Sequence, residues 1–309
     1  MIGSPHPDGK QHGWAAVRLA LAHLPSPFLA APRVIASGAN GRWHDCAQVL
    51  PAAHDLGAVL AAVSALSGAG RQKLERTLDG LADGIDVPSL LKPIEPLGKI
   101  LLTEGSVALA RSNDQRPAKM VVGFSKFATS LADPEATLHL AGAGVRYDVE
   151  AALAAVIGRP ASRLTQKEAA RAIVGFTLMA EITERDMFEA EARTNNSLFA
   201  KNCPGLTPLG PAIWIGGASE LDPAAEVTLS VNGAVRQRFK PADFAHGIET
   251  ALRAWSRVVL APGDMVALGA AISRPRAGNE VDSPIPLAAG DLIEVAHPQV
   301  GVLRARISL

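Results

Sequence analysis

Tyr147-Asp148-Val149-Glu150-Ala151-Ala152-Leu153-Ala154-Ala155-Val156-Ile157 is the stretch on which the reading of the fold turns. Its second half is apolar without interruption, and Gly158-Arg159-Pro160 stops it, which marks a buried strand. Side chains alternate faces along a strand, so Arg146, Asp148, Glu150 and Ala152 share one side. Carboxylates entering an apolar run are hard oxygen donors of the kind Mg²⁺ and Mn²⁺ accept. Further on, the apolar Ala172 to Leu178 leads into a second acidic group, Glu181-Ile-Thr-Glu-Arg-Asp186. Either group alone reads as a solvated strand end. Both lie at the edge of a buried run, and together they form a candidate site.

Around this centre the chain is strand-rich. Lys99 to Leu102 and Met120 to Phe124 read as strands, as do Met265 to Leu268, Leu292 to Val295 and Val302 to Ile307. Val227 to Val231, the turn Asn232-Gly233 and Ala234 to Phe239 predict a hairpin, because that dipeptide accepts positive φ. Thr165-Gln-Lys-Glu168 is a capping box that starts a helix over 166–174, and a second helix is expected over 242–259. Arg71 to Leu81 carries leucines at helical spacing. Pro88, Pro93 and Pro96 suggest a boundary near 88–98, dividing the chain into an N-terminal domain (1–98) and a second domain (99–309). No glycine-rich dinucleotide or phosphate loop accompanies the strands, which argues for a sandwich-like or barrel-like β core rather than a doubly wound sheet.

Composition narrows the function. The 309 residues hold 30 Lys+Arg and 30 Asp+Glu, a net charge of zero. With no basic run, the chain lacks the counterion-release term of nucleic-acid binding. The longest uncharged stretch, Leu56 to Gly70, falls short of the roughly 20 apolar residues a membrane span needs. The first residues show no basic start or apolar core of a signal peptide. Cys46 and Cys203 form neither a disulfide framework nor a metal motif. The expectation is a cytoplasmic protein with neither nucleic-acid nor membrane partner.

Asp148 to Gly158 resembles the segment D-Y-E-x-E-L-A-x-V-I-G of the fumarylacetoacetate hydrolase family. Phe124-Ser-Lys126 is similar to its F-x-K-P, and Glu181 to Asp186 to its N-D-V-S-A-R-D. Ala200-Lys201 with Pro208-Leu-Gly-Pro211 is similar to G-K-S-F-D-x-F-x-P-L-G-P. Asn232-Gly233, Pro262-Gly263-Asp264, Leu268-Gly269 and Gly290 to Val295 also fall where that family has counterparts. The resemblance covers roughly 99–307, and the order of many weak motifs is more specific than any single one.

The resemblance implies an α+β protein: a mixed β-sandwich roll with a smaller N-terminal α/β domain. It implies a homodimer that binds a small 2-oxo or 2,4-dioxo acid on Mg²⁺ or Mn²⁺, then cleaves, decarboxylates, hydrates or tautomerises it. Carried over by position, Glu150 and Glu181 are metal ligands; period-two spacing separately offers Asp148, on the same strand face as Glu150, as a further candidate ligand. Lys126, Arg185 and Lys201 bind and polarise the substrate, and Asp186 holds Arg185. The departures weaken the metal site. Ala152 stands at a ligand glutamate, Phe188 at a substrate-binding glutamine and Ala270 at a threonine. The segment after Lys99-Ile100, where many members carry a lid His/Glu pair, has no histidine. Three readings follow: an oxo-acid enzyme with a modified metal site, a metal-independent lyase, cyclase or isomerase, and a silent ligand-binding homologue. Among the remaining candidates, His139 could substitute as a base, while His246, His297 and Cys203 read as structural.

Overall fold

The computed structural model describes residues 16–24, 31–51, 55–87, 89–94, 98–103, 121–140, 144–194, 196–244, 246–269 and 286–308. Ala270 and most of the segment after Lys99-Ile100 lie outside them.

The strand expected from Tyr147 to Ile157 forms over those residues (β8) and is buried along its whole length. Alanine is a weak strand former, so burial on both faces decides its conformation. It pairs antiparallel with Ile173–Glu184 (β9) on one side and Met265–Gly269 (β13) on the other. Beyond β13 come Ile100–Thr103 (β4), parallel to it, and Gly123–Lys126 (β5), antiparallel to β4. On the far side of β9 lie Thr207–Ile215 (β10), then Arg18–Ala22 (β1), Arg33–Ser37 (β2) and Trp43–Asp45 (β3). The short Leu131–Ala132 (β6) pairs parallel with β10. A second sheet runs β12-β11-β14-β15-β7. Its members are Thr137–His139 (β7), Val227–Val231 (β11), Ala234–Phe239 (β12), Leu292–His297 (β14) and Gly301–Ser308 (β15). The mixed α+β sandwich is as expected.

Alternation on β8 feeds two cores. Leu153, Ala155 and Ile157 join Leu229, Val295 and Leu303 of the second sheet. Ala152, Ala154 and Val156 pack with Leu60 and Val63 of helix α1 (Leu56–Ser64) and Leu78 of α2 (Gly68–Asp79). β1 pairs with β10, and the second core draws on residues from both sides of 88–98.

The capping box closes as read, opening α3 (Gln166–Ala172). The long helix over 242–259 does not form. A 3-10 turn, Pro241–Asp243, precedes Gly247 at φ 66, and only Ile248–Trp255 (α5) is α-helical. Gly247 takes the left-handed backbone that interrupts a helix.

Candidate active site

β8 and β9 pair with Glu150 directly opposite Glu181 and Asp148 opposite Thr183. The three carboxylates share the parity of Ala152 and Met179, so they continue the face that packs α1 and α2. Like charges directly opposite on a sheet repel, and burial removes the water that would screen them. Their retention requires cations.

Lys201 supplies one, in the turn between α4 (Arg185–Ala192) and β10. Its Nζ lies 3.3 Å from Glu181 Oε1 and 3.6 Å from Glu150 Oε2, and it donates to Thr183 Oγ1 at 3.1 Å. Lys126, at the end of β5, places its Nζ 3.6 Å from Glu181 Oε1 and donates to the Lys201 carbonyl. Its side chain is 0% exposed, so Lys126 holds Lys201 and Glu181 in place rather than facing a ligand. Arg185 opens α4, and its Nε donates to Asp148 Oδ2 at 2.5 Å. Phe188, one turn along the helix, has its ring 5.4 Å from the Arg185 guanidinium carbon and 5.6 Å from Lys201 Nζ. Phe124 stands 5.2 Å from Lys201 Nζ on another side. Ring faces attract cations, so the two phenylalanines help fix Lys201.

Asp186 does not hold Arg185. Its Oδ1 accepts from Arg146 Nε at 2.8 Å, and both partners are about half exposed, at 46% and 51%. Residues adjacent on a helix point about 100° apart, which sends Asp186 outward while Arg185 turns inward. The partner of Arg185 is Asp148, a residue expected to bind metal.

Two positioning residues escaped the sequence reading. Glu191, buried on α4, accepts from the backbone N–H groups of Phe199 and Ala200, both at 2.9 Å. Asn202 donates to Ser125 O at 3.2 Å and to Leu198 O at 3.0 Å, and accepts from Phe127 N at 2.7 Å. They tie the Lys201 turn to α4 and to β5. The signal available was a polar side chain at each end of this turn, too common to single out.

Burial pushes the Glu150 carboxyl up to about 7, with Lys201 opposing and Glu181 reinforcing the shift. Burial likewise raises Asp148, against the pull of Arg185. Burial draws Lys126 down to about 8, Glu181 resisting. Burial would also lower Lys201, but Glu181 and Glu150 outweigh it and hold the ammonium above its ordinary value. Among the described histidines, His139 is exposed on β7 of the second sheet, and His297 is buried at the end of β14, where desolvation lowers it to about 4. Cys203 donates to Phe199 O at 3.3 Å, and burial raises its thiol, which suits packing rather than attack.

The residues present do not fit a hard divalent cation. Such an ion wants several oxygen donors with charge to spare. Here Asp148, Glu150 and Glu181 face Arg185, Lys126 and Lys201; Asp148 gives Oδ2 to the guanidinium, while its Oδ1 and Glu181 Oε1 accept no hydrogen bond. Among the described residues no three His, Cys, Asp or Glu side chains are placed to hold a metal.

Residues 103–308 match the family model for the fumarylacetoacetate (FAA) hydrolase C-terminal domain, and the chain belongs to that family. An uncharacterized protein of Pyrococcus abyssi is 31% identical over 218 residues, which is 69% of this chain and 91% of the relative. The mitochondrial oxaloacetate tautomerase of Xenopus laevis is 27% identical over 219 residues, 70% of this chain and 67% of the relative. In fold, the chain is similar to a fumarylacetoacetate hydrolase from psychrophilic Exiguobacterium antarcticum, with a TM-score of 0.74 and 23% identity over 94% of this chain and 99% of that one.

Proposed function

We propose that the chain is an enzyme for a small 2-oxo or 2,4-dioxo acid that works through the enolate, with keto–enol tautomerisation or isomerisation as the favoured reaction. The observation that carries the reading is the cluster at one strand end in which Arg185 pairs with buried Asp148 and Lys201 with buried Glu150. Arg185 suits a substrate carboxylate, since a guanidinium presents parallel donors to two oxygens. Lys201 suits the neighbouring oxo oxygen. When the adjacent carbon loses its proton, charge moves to that oxygen, and a fixed ammonium in a dry site stabilises it. Glu150, beside Lys201, is placed to carry the proton between carbon and oxygen. Lys126 acts through Lys201, and Asp148 through Arg185.

Hydrolysis and decarboxylation pass through the same enolate. Tautomerisation needs only a proton transfer of the kind Glu150 can carry out beside Lys201, which favours a reaction without water. A mitochondrial relative that is an oxaloacetate tautomerase supports the same choice. The test follows the ultraviolet decay of enol oxaloacetate with wild type and with Lys201→Met and Arg185→Met. The expected result is a decay faster than buffer that each variant loses. A wild-type decay equal to buffer, for oxaloacetate and for acylpyruvates, rejects the reading.

A further inference from the structure

We infer that the Lys201 ammonium occupies the place of a divalent cation between Glu150 and Glu181, so that this chain holds its anionic ligand without Mg²⁺ or Mn²⁺. The register of β8 and β9 sets Glu150 against Glu181, and a buried pair of carboxylates must share a cation. Lys201 Nζ meets both, at 3.6 Å and 3.3 Å, and gives a third contact to Thr183 Oγ1 at 3.1 Å. Thr183 Oγ1 accepts a hydrogen bond from the ammonium, and the two carboxylates meet it as ion pairs.

Three further observations exclude a metal from the same volume. Lys126 Nζ already stands 3.6 Å from Glu181 Oε1, so a divalent ion on that oxygen would sit among two ammonium groups. The carboxylates Asp148, Glu150 and Glu181 balance Arg185, Lys126 and Lys201, and two more positive charges in a water-poor site would be uncompensated. At the next position on this face of β8 stands Ala152, buried, paired with Met179 on one side and Gly269 on the other, none of which offers a side-chain oxygen.

A lysine in this place changes what the site can do. It sets one positive charge beside an oxo oxygen, where a metal would give two charges and an open coordination sphere. Such a site favours an anion that needs orienting and enolate stabilisation over one that needs a metal-activated water.

The ligand's identity rests on the oxo-acid reading above, while the cation assignment does not. The test uses the full chain after dialysis against EDTA. Free Mn²⁺ is followed by electron paramagnetic resonance as protein is added, with and without oxalate, and oxalate binding is measured by calorimetry with and without chelator. The expected result is that wild type leaves Mn²⁺ free at millimolar concentration and that its oxalate affinity is unchanged by EDTA. Lys201→Met should take up Mn²⁺ and melt higher with it, and Lys201→Arg, which keeps a cation, should not. Uptake of about one Mn²⁺ per wild-type chain, or loss of oxalate binding in EDTA, overturns the inference. So does a folded Lys201→Met variant as indifferent to Mn²⁺ as wild type. Should Lys201→Met not fold, the wild-type measurements decide. Absence of oxalate binding in both conditions with Mn²⁺ still free counts against the oxo-acid reading and upholds the cation assignment.

Discussion

The two ends of the β8–β9 pair carry charge in opposite ways. At one end Asp148, Glu150 and Glu181 are buried against Arg185, Lys126 and Lys201, and burial and neighbouring charges move several of these groups from their ordinary acidities. At the other end, Arg159 and Arg171 join Arg71 of α2 around an open groove of about 400 Å³. There Arg71 meets Glu220 at 2.6 Å, and Arg159 donates to Ser64 O and Oγ at 3.2 Å and 3.1 Å. Arg71 is partly buried against Glu220, but Arg159 and Arg171 are exposed; water screens such surface charges, and pairs among them contribute about 0–1 kcal/mol. Burial of the other cluster makes each charge depend on its neighbours. Chemistry is expected where charge is dry, not where charge is abundant.

The largest effect should come from removing the shared cation. Lys201→Met leaves Glu150 and Glu181 facing each other without it, and urea unfolding in the absence of metal should show a loss of about 3–5 kcal/mol. A loss near zero would erase the contrast between the two ends. Gly158→Ala comes next, at the groove end, where shape rather than charge is demanding. An added Cβ would stand 2.5 Å from Val174 Cβ and 2.7 Å from Ser64 Cβ, at a cost of about 1–3 kcal/mol by the same measurement.

A smaller effect concerns pH. Folding raises Glu150 from 4.5 to about 7, mainly through burial. Between those values the native state keeps a proton that the unfolded state releases, so stability falls as pH rises through the window. Folding lowers Lys126 from 10.5 to about 8, and there the unfolded state binds the extra proton, so stability recovers as pH rises from about 8 to 10.5. Melting temperatures of Glu150→Gln against wild type should therefore diverge in favour of the variant from pH 4.5 to 7. Parallel curves would show that Glu150 is solvated. Smallest of all, Asp186→Ala and Arg171→Ala should leave unfolding midpoints unchanged, since both side chains are exposed. A clear loss from either would place a buried role at a surface position.

What could be read from the amino-acid order was local. The β8 strand, the Asn232-Gly233 hairpin and the Thr165 capping box each depend on neighbours in the chain and formed as expected. The helix over 242–259 was misjudged because apolar spacing continued past a residue whose backbone breaks it. The site was legible only through the order of motifs. Lys126 reaches it from β5, across β4 and β13, and no local pattern announces that path. Asp186 was misplaced because the resemblance gave its position in the motif and not the direction its side chain takes on the helix. Glu191 and Asn202 act on backbone groups of other segments, and such contacts leave no pattern in the order of residues.

A double-mutant cycle between Lys201 and Glu181 tests the central claim most directly. Unfolding free energies of wild type, Lys201→Met, Glu181→Gln and the double variant should reveal a coupling of about 1–3 kcal/mol, as expected for charges that meet away from water. Additivity within about 0.3–0.5 kcal/mol would mean that the two side chains do not meet, and the account of the site would fail with it.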